Sequence, residues 1–128
     1  MLKAGTAARR RTLTWRDAQP PDQIRASVET LLRAIDERLK TSAADWIGHV
    51  KILIAADDAS TYGSITAAGD SPRWAGRLTR PLSHAELTVY AAIYKLTDAQ
   101  VAQAVDGALR AVLGDGERAG ASAPTPNT

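Results

Sequence analysis

Apolar residues recur at spacings of three and four through Ile24, Val28, Leu31, Leu32, Ile35 and Leu39. That spacing holds them on one side of a coil of 3.6 residues per turn and predicts an amphipathic helix. The other side carries Arg25, Glu29, Arg33, Glu37 and Lys40 and reads as solvated. Glu29 and Arg33 stand four apart with the acid first, the favourable order for an exposed pair. Gln19-Pro20-Pro21-Asp22 marks the start, since proline lacks only an N–H that a first turn leaves unpaired.

Residues 45–55, Asp-Trp-Ile-Gly-His-Val-Lys-Ile-Leu-Ile-Ala, alternate instead, which predicts a strand. One side carries Trp46, Val50, Ile52 and Ile54; the other carries Ile47, His49, Lys51 and Leu53. Asp57-Asp58-Ala59-Ser60 reads as a turn. Residues 62–67 then read as the return strand of a hairpin, closed by Gly69-Asp70-Ser71-Pro72. Residues 86–96 are rich in β-branched and aromatic side chains and also alternate, although Leu87, Tyr90 and Tyr94 fit helical spacing too. The cleaner alternation favours a strand, with Leu87, Val89, Ala91 and Ile93 on one side. Thr97-Asp98-Ala99-Gln100 is a capping box and opens a second helix with Val101, Val105, Ala108, Leu109 and Val112 as its stripe. Gly114 is its expected C-cap. Residues 73–81 read as a loop or a short strand around 75–79.

The expected fold is α+β: a two-layer sandwich of three, or with residues 12–15 four, antiparallel strands, and two helices on one face, in the order α-β-β-β-α. Residues 19–114 form the domain, residues 1–18 a basic and mostly flexible arm, and residues 115–128 a disordered tail of small and polar residues. The helices would cover Trp46, Val50, Ile52, Ile54, Ile65, Leu87, Val89 and Ile93. The uncovered face would show His49, Lys51, Leu53, Tyr62, Ser64, Thr66, Thr88, Tyr90 and Tyr94. Tyrosine combines contact area with a polar tip, so His49, Lys51, Tyr62, Tyr90 and Tyr94 are the candidate contact residues. An ordinary wet sheet face accounts for the same pattern.

Composition narrows the chemistry. The 128 residues contain no cysteine, which excludes disulfides, thiolate metal sites and cysteine nucleophiles and agrees with a reducing compartment. No Phe and one Met leave the core to Leu, Ile, Val, Ala, Trp and Tyr. Net charge is only +2, but residues 1–16 hold Lys3, Arg9, Arg10, Arg11 and Arg16 without an acid. Such a segment suits an anionic partner, a transit peptide or a solvated tail. No segment is apolar enough to cross a membrane and the start lacks the apolar run of a secretory signal, so the expectation is a cytoplasmic protein without membrane partners.

His49 and His84 have no further ligand at helical or hairpin spacing, and Asp57-Asp58 lacks the ligand series of a Ca²⁺ loop, so no metal or other cofactor is expected. No Gly-x-Ser-x-Gly elbow, Walker loop or Gly-x-Gly-x-x-Gly occurs. His49 alone would serve as an acid or base, and catalysis is not the expected role. Arg73, Arg77 and Arg80 around Trp74 are candidate phosphate and base contacts, with a surface loop tucking Trp74 under the sheet as the plainer reading.

The helix–strand–strand–strand–helix order resembles the double-stranded-RNA-binding domain over residues 22–113. Where that family grips phosphate with lysines, this chain reads Thr97-Asp98-Ala99-Gln100-Val101-Ala102-Gln103, without a base. Ile47-Gly48-His49-Val50-Lys51, Ser64-Ile65-Thr66 and Ala85-Glu86-Leu87-Thr88-Val89 with the closing helix resemble the segment after the GTPase domain in some CobW-type metal-chaperone GTPases. The matched stretch is residues 46–113 and contains no phosphate loop, so the resemblance implies an accessory module. The expected function is a non-enzymatic interaction module that binds a second copy of itself or a larger protein through the tyrosine-bearing face. The alternative is nucleic-acid or nucleotide-phosphate binding by residues 9–11 and 73–80.

Overall fold

The computed structural model describes residues 3–114. Its strands are β1 (Ala4–Gln19), β2 (Ile47–Ala56), β3 (Ala59–Ala67), β4 (Arg73–Gly76) and β5 (Leu82–Tyr94); its helices are α1 (Pro21–Ser42) and α2 (Asp98–Leu113). The five strands form one antiparallel sheet in the order β1-β5-β2-β3-β4, and both helices pack on one face of it. The α+β class holds. The strand count and element order do not, because the chain adds β1 before α1 and β4 after β3.

The larger correction concerns residues 1–18. From Ala4 onward they are not a flexible arm: β1 pairs with β5 from Ala4↔Tyr94 to Thr14↔His84. Its helix-side positions are mostly small or long-stemmed, which hides the strand in the sequence. Gly5 and Ala7 are buried where α2 approaches closely, and a Cβ on Gly5 would collide with the backbone of Leu96 and Thr97. Arg9 lies in the same phase and leads its charge out along α2. Its Nε and Nη2 donate to Asp106 at 2.8 and 3.1 Å, a two-pronged bond. The backbone N–H of Thr6 donates to Asp98 at 2.8 Å. Strand and helix are thus tied at two points. Residues 115–128, expected to be disordered, lie outside the described residues.

α1 begins as expected, with Pro21 in its first turn, and buries Ile24, Val28, Leu31, Leu32, Ile35 and Leu39. Asp36 is buried beside them at 6 % exposure. Its carboxylate accepts from Trp46 Nε1 at 2.9 Å and from the Gly69 N–H at 3.0 Å, pinning α1 to the approach to β2 and to the turn after β3. The side chains expected beneath the helices, Trp46, Val50, Ile52, Ile54, Ile65, Leu87, Val89 and Ile93, are all buried. Fully burying each aliphatic one contributes roughly 1.5–3 kcal/mol before entropy is counted.

The hairpin turn is Asp57-Asp58, with Asp57 at φ 44°, a left-handed conformation that aspartate tolerates better than most residues. Thr97 and Gln100 form the capping box, and Gly114 caps α2 with its N–H donating to the Arg110 carbonyl. In the segment 73–81, the strand is Arg73–Gly76 rather than 75–79.

Candidate functional site

The face of the sheet away from the helices has no covering element among the described residues. Strand pairing arranges it in rows. Tyr94 of β5 faces Ala4 of β1, and the β2–β5 register carried one residue past Gly48↔Ile93 sets Ile47 on its other side. The next row is Thr6–Ala92–His49, and the next Ala8–Tyr90–Lys51–Ser64–Arg73. Arg10–Thr88–Leu53–Tyr62–Ala75 follows. Beyond it lies Thr12–Glu86–Ala55–Ser60.

The structure therefore brings His49, Lys51, Tyr62, Tyr90 and Tyr94 onto one surface. Ile47, Tyr90 and Tyr94, at 62, 45 and 41 % exposure, are the exposed large hydrophobic residues of the described chain, and all three lie here. They occupy one end of the face, among the short side chains of Ala4, Ala8 and Ala92. Lys51 lays its ammonium over the Tyr62 ring, 4.3 Å from the centroid, which removes that ring from the free apolar surface and orders the lysine. Charge gathers towards the other end: Glu86 accepts from the Thr12 hydroxyl at 2.7 Å and pairs with Arg10 at 3.7 Å.

Two groups of residues at this surface escaped the sequence reading. Ile47 lies on the same side of its strand as the candidate contact residues without being one of them, although it is the most exposed large apolar residue among those described. Of β1, the alternation Thr12-Leu13-Thr14-Trp15 predicts an edge strand at residues 12–15 only, and the structure includes them; the contribution of Thr6, Ala8 and Arg10 lies before that stretch.

The candidate phosphate contacts do not converge. Trp74 faces the helix layer, where a Cβ on Gly63 would stand 2.9 Å from its ring, and Arg25 of α1 stacks on it at 4.4 Å. Arg73 is exposed on the opposite, open face beside Ser64. Arg77 is exposed beyond the end of β4. Arg80 bonds Asp58 at 3.1 Å and stands 3.8 Å from Asp57, and its hydrogen bond holds the Asp58 carboxyl below the usual carboxylate range. Within the arginine triplet, Arg9 is held by Asp106 and Arg10 pairs with Glu86, while Arg11 donates to the Arg10 carbonyl. The bond to Asp106 raises the Arg9 pKa and lowers that of Asp106.

The two histidines also stand apart. His49 faces Ala92 and His84 faces Thr14, eight positions farther along β5, a separation of about 26 Å. Among the described residues no group of three His, Asp or Glu side chains is placed to hold a metal ion, and no helix is long and apolar enough to cross a membrane.

No family model, curated protein or solved structure matches the chain. The likeness to the segment following CobW-type GTPase domains therefore rests on the quoted residues alone.

Proposed function

We propose that this protein is a non-enzymatic interaction module that self-associates through the open face of its sheet. The observation that carries this reading is that Ile47, Tyr90 and Tyr94, the exposed large hydrophobic residues among those described, all lie towards one end of a face without a helix over it, with the small Ala92 between the two tyrosines. Three large apolar groups gathered on one side of the molecule differ from the scattered single exposures of an ordinary surface. Tyrosine loses little side-chain entropy on contact and keeps a polar tip for the rim.

The face carries charges of both signs. Arg10, Lys51 and Arg73 share the face with Glu86, so it is not the one-signed surface that a nucleic acid selects. A two-fold axis through the Ile47–Tyr94 end would set the apolar patches together and leave Arg10, Glu86 and Arg73 at the rim. Four long strands about 4.8 Å apart, each with about ten residues of 3.3 Å rise, span roughly 650 Å². A stable complex buries about 800 Å² per partner, so the expected dimer is reversible.

Sedimentation velocity from low to high micromolar concentration tests the proposal. The expected result is a concentration-dependent monomer–dimer equilibrium, shifted fully to monomer in Ile47→Asp and in Tyr90→Asp. A wild-type chain that stays monomeric at high micromolar concentration overturns it, as does a dimer that both substitutions leave intact.

A further inference from the structure

A cavity of about 390 Å³ lies on the helix side of the sheet, away from the open face. Its floor is Leu13 of β1, Ile54 of β2 and Leu87 of β5; Val28 and Leu31 of α1 form one wall, and Val112 and Leu113 of α2 the other. Its origin is topological. α2 runs beside β1 from Thr6 past Arg9 and ends at Leu113, level with Leu13. α1 starts beyond β1 and returns over the sheet. Near Leu13, Val28 and Leu31 of α1 and Val112 and Leu113 of α2 face the same space. β1 itself departs from β5 there, since its register jumps from Thr14↔His84 to Gln19↔Leu82.

The lining is divided by polarity. Thr14, Gln19, Gln23 and Ser27 are its polar members, and none of the lining residues is charged. Ser27 donates to the Gln23 carbonyl at 3.1 Å and Gln19 to the Asp17 carbonyl at 3.0 Å, which leaves the Ser27 hydroxyl lone pairs and the Gln19 amide oxygen open. The Gln23 side-chain amide makes no hydrogen bond among the described residues, and Thr14, in the phase of the open face, borders the cavity with its backbone. An apolar floor with a few uncommitted amides and hydroxyls is the usual constitution of a small-molecule site, and the volume lies in the usual range.

We propose that this cavity is a binding site for a small neutral molecule with an apolar body and one hydrogen-bonding end group. Neutrality follows from the lining: an ion would lose its hydration without meeting an opposite charge. The apolar body would rest on Leu13, Ile54 and Leu87, with the end group held by Gln19, Gln23 and Ser27. A cavity of about 150 Å³ takes a benzene ring, so this one takes a body of about two fused rings.

Amide NMR titration of the full-length chain with 2-naphthol and 2-naphthoate at pH 7 tests the proposal, the pair sharing one ring system and differing in charge. Saturable one-to-one binding of 2-naphthol is expected, with shifts confined to residues 13–15, 19, 23–31, 54, 87 and 112–113, and 2-naphthoate at least about tenfold weaker. Ser27→Trp, on the exposed rim, is expected to keep the unliganded spectrum elsewhere and to weaken 2-naphthol about tenfold; Val28→Phe narrows the cavity from within and acts in the same direction. Absence of saturable binding overturns the proposal. Equal affinity for the two compounds, or shifts centred on Tyr90 and Tyr94, also overturn it.

Discussion

Every long strand of the sheet turns one side to the helices and the other outward, and the two sides are built differently. Inward, Val50, Ile52, Ile54, Val89 and Ile93 are β-branched, fully covered, and fixed by close packing against two helices. Outward, the same strands carry His49, Lys51, Thr88, Tyr90 and Tyr94, which touch mainly their neighbours in adjacent strands. Loss of volume on the inner side has no compensation, because nearby atoms cannot close the gap. The outer side tolerates exchange and is free to be selected for contact. The inner side carries the stability of the fold, and the proposed association belongs to the other side of the same backbone, so substitutions should separate the two.

The strongest way to break that separation is within the core. Ile52→Ala should destabilise by about 4 kcal/mol in urea denaturation, as a cavity at a fully buried position of the core. Asp36→Ala should cost about 2–3 kcal/mol, since it strands the buried Trp46 indole N–H and the Gly69 N–H without an acceptor. A variant with wild-type stability would mean that this buried carboxylate does not anchor α1.

The link between β1 and α2 gives a pH signature. Asp106 has its folded pKa lowered, first by the hydrogen bonds from Arg9. A carboxylate of this kind stabilises the fold fully above its unfolded pKa of about 4 and loses that contribution as pH falls through the lower folded value. Asp106→Asn should therefore cost about 1 kcal/mol at pH 7 and show a shallower stability loss below pH 4 than the wild type, measured by thermal melts. The smallest effect sharpens the comparison from the other side. Ile47→Ser with Tyr94→Ser should leave unfolding stability within about 0.5 kcal/mol while removing self-association by sedimentation.

The inner face was legible because its alternation comes from apolar residues that nothing else explains. Residues 86–96 read as a strand despite a competing helical spacing, and the structure places residues 86–94 in β5, with Lys95 and Leu96 beyond its end. β1 is legible only at residues 12–15, for a chemical reason: before them, with Gly5, Ala7, Arg9 and Arg11 inward and Thr6, Ala8 and Arg10 outward, no hydrophobic contrast separates its sides. Asp36 was silent for a related reason. It falls on the buried stripe of α1, between Ile35 and Leu39, and a single acid there looks like an irregularity until Trp46 is brought to it. The open face was readable residue by residue, yet its apolar centre depended on β1 and on register, which only long-range pairing supplies.

The pairing of β1 with β5 also constrains how the chain reaches its native state. Partners such as Ala4 and Tyr94 are separated by 90 positions, so β1 emerges from the ribosome long before the strand it needs. Its ladder closes over a large loop, at an entropic cost that favours late docking. Until β5 arrives, β2 has β3 on one side and an unpaired edge on the other. Arg9, Arg10 and Arg11, clustered on the strand that waits longest, keep it hydrated and mutually repelled from other nascent copies during that interval.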